Sequence, residues 1–146
     1  MGTLAPAEIA ALKQRAVAEI DRYADQLTAV SQRIWENPEI AFQEMQAAGW
    51  LTELLLEADY RVERGVGGLP TAFTARRVSR QPGPTVGIFS EYDALINLGN
   101  GSGHNLLAIS GVGAGIGLAA VADDLPGSVQ IHLRGHAGAN QGIMGM

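Results

Sequence analysis

Thr85-Val86-Gly87-Ile88-Phe89-Ser90-Glu91-Tyr92-Asp93 opens the stretch that decides the fold. Its first five residues are a near-continuous apolar run, the pattern of a strand covered on both faces. A glycine-rich loop follows, and then a helix is expected over about residues 104–122. Leu125-Pro126-Gly127 turns the chain into a strand over residues 128–134, with Val129, Ile131 and Leu133 facing one way. Strand, helix and strand in that order predict a parallel crossover, right-handed by the general rule for such units. Gly111, Gly113, Gly115 and Gly117 lie inside the expected helix. Each costs up to about 1 kcal/mol against alanine, so their use is to let the helix approach the sheet closely.

Outward from this unit the pattern changes period. Ile9, Leu12, Ala16, Ile20, Tyr23, Leu27, Val30 and Ile34 recur in steps of three and four, one face of a long helix. Pro6 suits its first turn, and Asn37-Pro38 ends it, because the residue before proline avoids the helical region. A second helix is expected over about residues 41–58, with Met45, Ala48, Leu51, Leu55 and Ala58 inward. Short strands follow over residues 60–66 and 71–78, the second rich in β-branched and aromatic residues. Gln81-Pro82-Gly83-Pro84 then breaks the chain before the third strand. The fold class is α/β, with two N-terminal helices packed on a mixed sheet. The 146 residues fit one domain, and residues 135–146 carry little apolar patterning and are expected to fray.

Composition excludes several classes of function. A chain with 47% hydrophobic and 17% charged residues can bury a core and is not of disordered type. A net charge of -5 argues against a nucleic-acid surface, and the arginines at 61, 64, 76, 77 and 80 have no aromatic platform between them. The absence of cysteine removes disulfides, thiolate metal sites and a cysteine nucleophile. Residues 105–122 carry no charge, but their glycine and alanine contribute little transfer energy, so no membrane span is expected. With no signal-type apolar run at the N-terminus, a cytoplasmic location is the expectation. The glycines from 111 to 117 match neither the dinucleotide nor the phosphate-loop spacing.

The chemistry concentrates where the third strand ends. Ligands in open α/β sheets bind outside the carboxyl ends of strands, so Glu91, Tyr92 and Asp93 are delivered to such an edge. Ser102, His104 and Asn105 follow at the start of the next helix. Carboxylate and imidazole converging there are the raw material of a metal site, and the helix start would favour an anion. Plainer uses stand beside this one: Asp93 as a turn cap, His104 as a helix start, and Ser102 with its glycines as turn chemistry.

Glu91-Tyr92-Asp93-Ala94-Leu95 followed by Gly103-His104-Asn105 resembles the metal loop of the zinc-dependent aminoacylase and carboxypeptidase superfamily of amidohydrolases. The group is the one typified by aminobenzoyl-glutamate hydrolase and Xaa-Arg dipeptidase. Ile34-Trp35-Glu36-Asn37-Pro38-Glu39, Phe42-Gln43-Glu44 and the segment from Gly65 to Phe73 agree with that group, as does Leu125-Pro126-Gly127. The resemblance implies an incomplete zinc-exopeptidase-like catalytic domain, without the family's dimerisation domain. It also implies hydrolysis of amide bonds in N-acyl amino acids or dipeptides, by water activated between two zinc ions.

Residue by residue, the carry-over is partial. The group's loop reads His-Ala-Cys-Gly-His-Asn, whereas Asn100-Gly101-Ser102-Gly103-His104-Asn105 stands here. The resemblance makes His104 a metal ligand, Asp93 the residue that orients a ligand, and Asn105 a substrate contact. Ser102 stands where a thiolate would, and its hydroxyl is a far poorer zinc donor. The family's Glu-Glu pair, its general base included, falls near Ala137 and Gly138, which can neither bind metal nor move a proton. His132 and His136 share one face of a continuing strand and, with His104, would make a set of three imidazoles. Three functions follow as alternatives: a family member without catalysis, a hydrolase using a reduced site of Asp93, His104, His132 and His136, and a binding or assembly module. The last would self-associate, or pair with a companion chain, through exposed sheet or helix surface.

Overall fold

The computed structural model describes residues 4–135. Helix α1 (Pro6–Arg22) and helix α2 (Ala24–Glu36) realise the expected long helix, with a one-residue break at Tyr23. Tyr23 has φ −93° and ψ 1°, off the helical values, yet Leu27 N–H still reaches its carbonyl at 2.9 Å. The apolar stripe therefore continues across the break. Tyr23, Leu27, Val30 and Ile34 are buried, while α1 buries no residue fully and leaves Ile9 39% exposed.

Helix α3 (Met45–Glu57) begins four residues later than the expected start. Phe42 takes a left-handed φ of 69°, which interrupts any helix there, and Gln43 N–H closes a turn onto the Ile40 carbonyl. The Glu39 carboxylate then accepts from Gln46 and Ala47 N–H at 3.1 and 3.0 Å, satisfying donors that the first turn leaves open. Ala48, Leu51 and Leu55 are buried as expected. Met45 is not: it sits in the first turn and is 57% exposed.

The four strands are β1 (Arg61–Arg64), β2 (Phe73–Val78), β3 (Thr85–Glu91) and β4 (Ser128–Arg134). Their order across the sheet is β1-β2-β4-β3, antiparallel except for the β3–β4 pair, which is parallel. Helix α4 (His104–Ala119) makes the crossover between that pair and packs on both strands as well as on α1, α2 and α3. All the helices serve one face of the sheet, where Phe73, Ala75, Ile131 and Leu133 are buried together with Leu51, Leu55, Val112 and Ile116.

Two of the four α4 glycines, Gly111 and Gly115, make the expected close contact with the sheet, whereas Gly113 faces Leu27 of α2 and Gly117 faces Ile20 and Ala16 of α1. A Cβ at Gly111 would press on the Ser90 hydroxyl and stand 3.0 Å from Ser90 Cβ, and one at Gly115 would enter the Ile131 side chain. Tyr60, itself buried, donates its hydroxyl to the Gly115 carbonyl at 2.7 Å. One expectation fails here. Among the described strands β3 is an edge: Val86, Ile88 and Ser90 share the helix face with Val129, Ile131 and Leu133, yet Val86 is 53% exposed, and Phe89 on the opposite face is 75% exposed. An unbroken apolar run needs cover on both sides only when something lies there, and no described element covers the second face. No described helix is long and apolar enough to cross a membrane.

Candidate functional site at the carboxyl edge of the sheet

β3 ends at Glu91 and the chain drops into the core. Tyr92 is 1% exposed and gives its hydroxyl to the Thr71 carbonyl; burial, foremost, pushes its titration far above the ordinary range. Asp93 follows with no exposure at all, and Ala94 N–H is held by the Glu39 carbonyl at 2.7 Å. These three residues are therefore fixed in place before the loop begins.

The loop turns back through Asn97 and Gly99, both at positive φ, with Leu95 and Gly99 exchanging backbone hydrogen bonds at 2.8 and 2.9 Å. Gly103, at φ 79°, then starts α4, and its carbonyl accepts from Leu106 and Leu107 N–H. Only a residue tolerant of the left-handed region can precede His104 in this way.

The first residue of α4 meets the end of β3. His104 Nδ1 lies 3.0 Å from Asp93 Oδ1 and 3.0 Å from the Asp93 carbonyl, and its Nε2 lies 3.8 Å from Glu91 Oε2. A proton on Nδ1 serves both Asp93 oxygens and fixes the ring, leaving Nε2 as the atom able to take a proton or a metal. Asp93 and His104 are thus brought together, with Glu91 beside them.

The other sequence candidates lie apart from this corner or outside it. Asn105 is buried, but its amide turns to α2 and donates to Ser31 Oγ at 3.1 Å. Asn100 also turns to α2, donating to the Ile34 carbonyl at 2.8 Å. The two amides anchor the loop to that helix. Ser102 is exposed on the loop surface. His132 occupies the open face of the sheet, stacked on Phe89 with ring centres 4.7 Å apart. His136, Ala137 and Gly138 lie outside the described residues.

Glu44 is a residue of this edge that the sequence marks only as part of a resembling segment. Its side chain is fully buried and accepts the Phe42 N–H at 2.7 Å. Burial raises its titration above the ordinary carboxylate value, the Asp93 charge adds to that, and the nearby Thr71 side chain and the backbone N–H of Phe42 oppose it. A Cβ at Gly135 would enter the Glu44 carboxylate, so the end of β4 rests directly on this acid. A glutamate next to the first turn of a helix is ordinarily solvated, and nothing in the local pattern marks its burial.

The donor set can be tested against a two-metal centre. Among the described residues no three His, Asp or Glu side chains come together as a metal-binding group. His104 has carboxylates at Asp93 and Glu91, and the loop positions that would add a thiolate and a second imidazole hold Ser102 and the α2-bound Asn100. The described residues by themselves do not make a complete centre.

No family model matches the chain. It is 41% identical over 133 residues to the Xaa-Arg dipeptidase of Mus musculus, covering 85% of this chain and 31% of that protein. It is 34% identical over 116 residues to a component chain of the p-aminobenzoyl-glutamate hydrolase of Escherichia coli strain K12, covering 68% of this chain and 23% of that one. Among solved structures, a dinuclear metal binding peptidase of the M20 family from Bacillus subtilis superposes with a TM-score of 0.69 at 24% identity. That match covers 77% of this chain and 35% of the other, and it establishes likeness of fold. The chain spans about a third or less of the length of these relatives.

Proposed function

We propose, from the premise that the chain belongs to the M20 family of peptidases and amidohydrolases, that it binds substrate-like molecules at the carboxyl edge of its sheet without hydrolysing them. The substrate class of the reading is small N-acyl amino acids or dipeptides, the chemistry named by the dipeptidase and hydrolase relatives. The observation that carries it is the state of the corner. The His104–Asp93 pair keeps a ligand-like geometry at 3.0 Å, while the donors that the described residues place around it are too few to hold and activate water.

Zinc is the metal this reading would assign to a completed site, and His104 Nε2 with Glu91 is where such a site would begin. No proton or bond-breaking step is derived through it. The test is metal content of metal-stripped, refolded and zinc-dialysed protein, alongside hydrolysis of a small acyl-amino-acid and dipeptide panel. Sub-stoichiometric zinc and no turnover are expected. Stoichiometric zinc with turnover abolished by His104→Ala would overturn the reading in favour of a working reduced site.

A second reading, an assembly module, is favoured by β3, which is an edge among the described strands and carries Phe89 and Val86 exposed on it. It predicts a mass that grows with concentration in solution scattering. A constant monomer mass across a wide range would remove it.

A further inference from the structure

Beside the corner, and sharing Glu91 with it, lies a second feature of the sheet's carboxyl edge. A cavity of about 420 Å³ lies where the loop between β1 and β2 meets the carboxyl ends of β3 and β4. Val66, Leu69 and Leu107 make its apolar walls, and Phe89, stacked on His132 within 8° of parallel, supplies an aromatic surface. An aromatic ring 75% exposed yet held flat against a neighbouring ring is a preformed platform for a second apolar group. The charged residues of its lining are Glu91 and Arg134, register partners across the β3–β4 ladder. Glu91 turns toward His104, at 3.8 Å. Arg134 is exposed and has no carboxylate partner among the described residues.

We infer that this cavity is a binding site for a carboxylate carried on an apolar or aromatic body, with Arg134 as the residue that recognises the anion. A concave, mostly apolar surface with a few placed polar groups is the general form of a small-molecule site, and this half-open cavity has that form. A guanidinium is the side chain whose geometry matches a carboxylate through two parallel hydrogen bonds. The apolar body fills the space between the Phe89 ring and the walls at Val66 and Leu69, and the anion meets Arg134 at the strand end. The inference deepens the substrate class proposed above and rests on it only for the name of that class. It needs no metal, so metal-free protein tests it separately from hydrolysis.

The experiment is a titration of the isotopically labelled 146-residue chain, in excess EDTA, with N-acetyl-L-phenylalanine and with its neutral amide, followed by NMR. The carboxylate is expected to saturate and to shift the Val66, Leu69 and His132 signals, and the amide to bind about tenfold more weakly. Arg134→Gln should weaken the carboxylate alone by a similar factor, with Arg134→Lys recovering part of it. Phe89→Ala should weaken acid and amide equally, because it removes the platform and not the charge. Equal affinity of acid and amide, an Arg134→Gln variant with unchanged affinity, or shifts confined to other parts of the chain would each overturn the inference. Failure of zinc binding or of hydrolysis leaves these binding results as they stand, so the two readings fail separately.

Discussion

Replacing Gly111 with alanine tests whether helix–sheet contact, and not helix propensity, chose that glycine. In an open helix the change would stabilise the chain by about 1 kcal/mol. Here the new methyl would press on the Ser90 hydroxyl and stand 3.0 Å from Ser90 Cβ, with Ile88 Cγ2 at 3.6 Å behind it. Ser90 is 6% exposed and its Cβ is carried by the backbone of β3, so rotating the hydroxyl leaves the Cβ contact in place. Overpacking of this kind costs about 1–3 kcal/mol, so the net expectation for Gly111→Ala is a loss of about 1 kcal/mol. In a Ser90→Gly background the obstruction is gone, and the same substitution should stabilise by up to about 1 kcal/mol. The coupling between the two sites is therefore about 2 kcal/mol, well above the additivity error of distant pairs. Urea denaturation of the four chains, compared at constant slope, measures it. Because α4 begins at His104, the same wedge should also weaken the Nδ1 proton's bond to Asp93, seen in the ring nitrogen spectrum. A Gly111→Ala chain more stable than the parent with Ser90 in place would refute the reasoning.

Glu44→Gln keeps an oxygen for the Phe42 N–H and removes a buried ionisable group. Since the folded protein holds this carboxyl above its ordinary value of 4.5, its contribution is complete below that value and is lost as pH rises through the folded one. The variant should therefore gain on the parent as pH climbs from acid toward neutrality in a series of urea midpoints; parallel curves would count against it. Tyr60→Phe removes the hydrogen bond to the Gly115 carbonyl and should cost about 1 kcal/mol in the same assay. Asn100→His, which restores a residue type of the resembled loop, must give up a buried amide bonded to Ile34 and should cost about 1–3 kcal/mol. Ser102→Cys, at an exposed loop position, should fold normally and bind zinc more tightly than the parent in competition with a chromophoric chelator.

What could be read in the chain beforehand divides along a physical line. β4 was legible to the residue, because Val129, Ile131 and Leu133 alternate strictly and each of them faces the helices. So was the need for close contact at α4, since four glycines in one helix make no sense as propensity. The break at Tyr23 was invisible because the apolar stripe runs straight through it. The exposure of β3 was misjudged for a different reason. An apolar run records what a strand can be buried against: Phe89 is exposed because the described residues cover one face only, and Val86, on the helix face beside Val129, is exposed because it lies at the edge of the described sheet. The pattern in a sequence answers for local geometry and leaves open which neighbours arrive.

The same division governs the site. The His104–Asp93 pair joins the end of one strand to the start of the following helix, so a separation of 11 residues with a turn between suffices to predict their meeting. Glu44 comes to the edge from a different part of the chain, and its burial depends on Gly135 arriving at the end of β4. No local signal announces such an approach. The cavity beside Arg134 belongs to this second kind, since Val66, Phe89, Leu107 and Arg134 converge from separate elements and loops. The motif that identifies the family is thus local, and its losses are local: Ser102 in place of a thiolate, Asn100 turned away to α2. A binding surface assembled from distant segments does not depend on those loop residues. Recognition of a carboxylate at Arg134 can therefore persist in a chain whose metal loop has changed, and the amide and acid titrations separate the two properties.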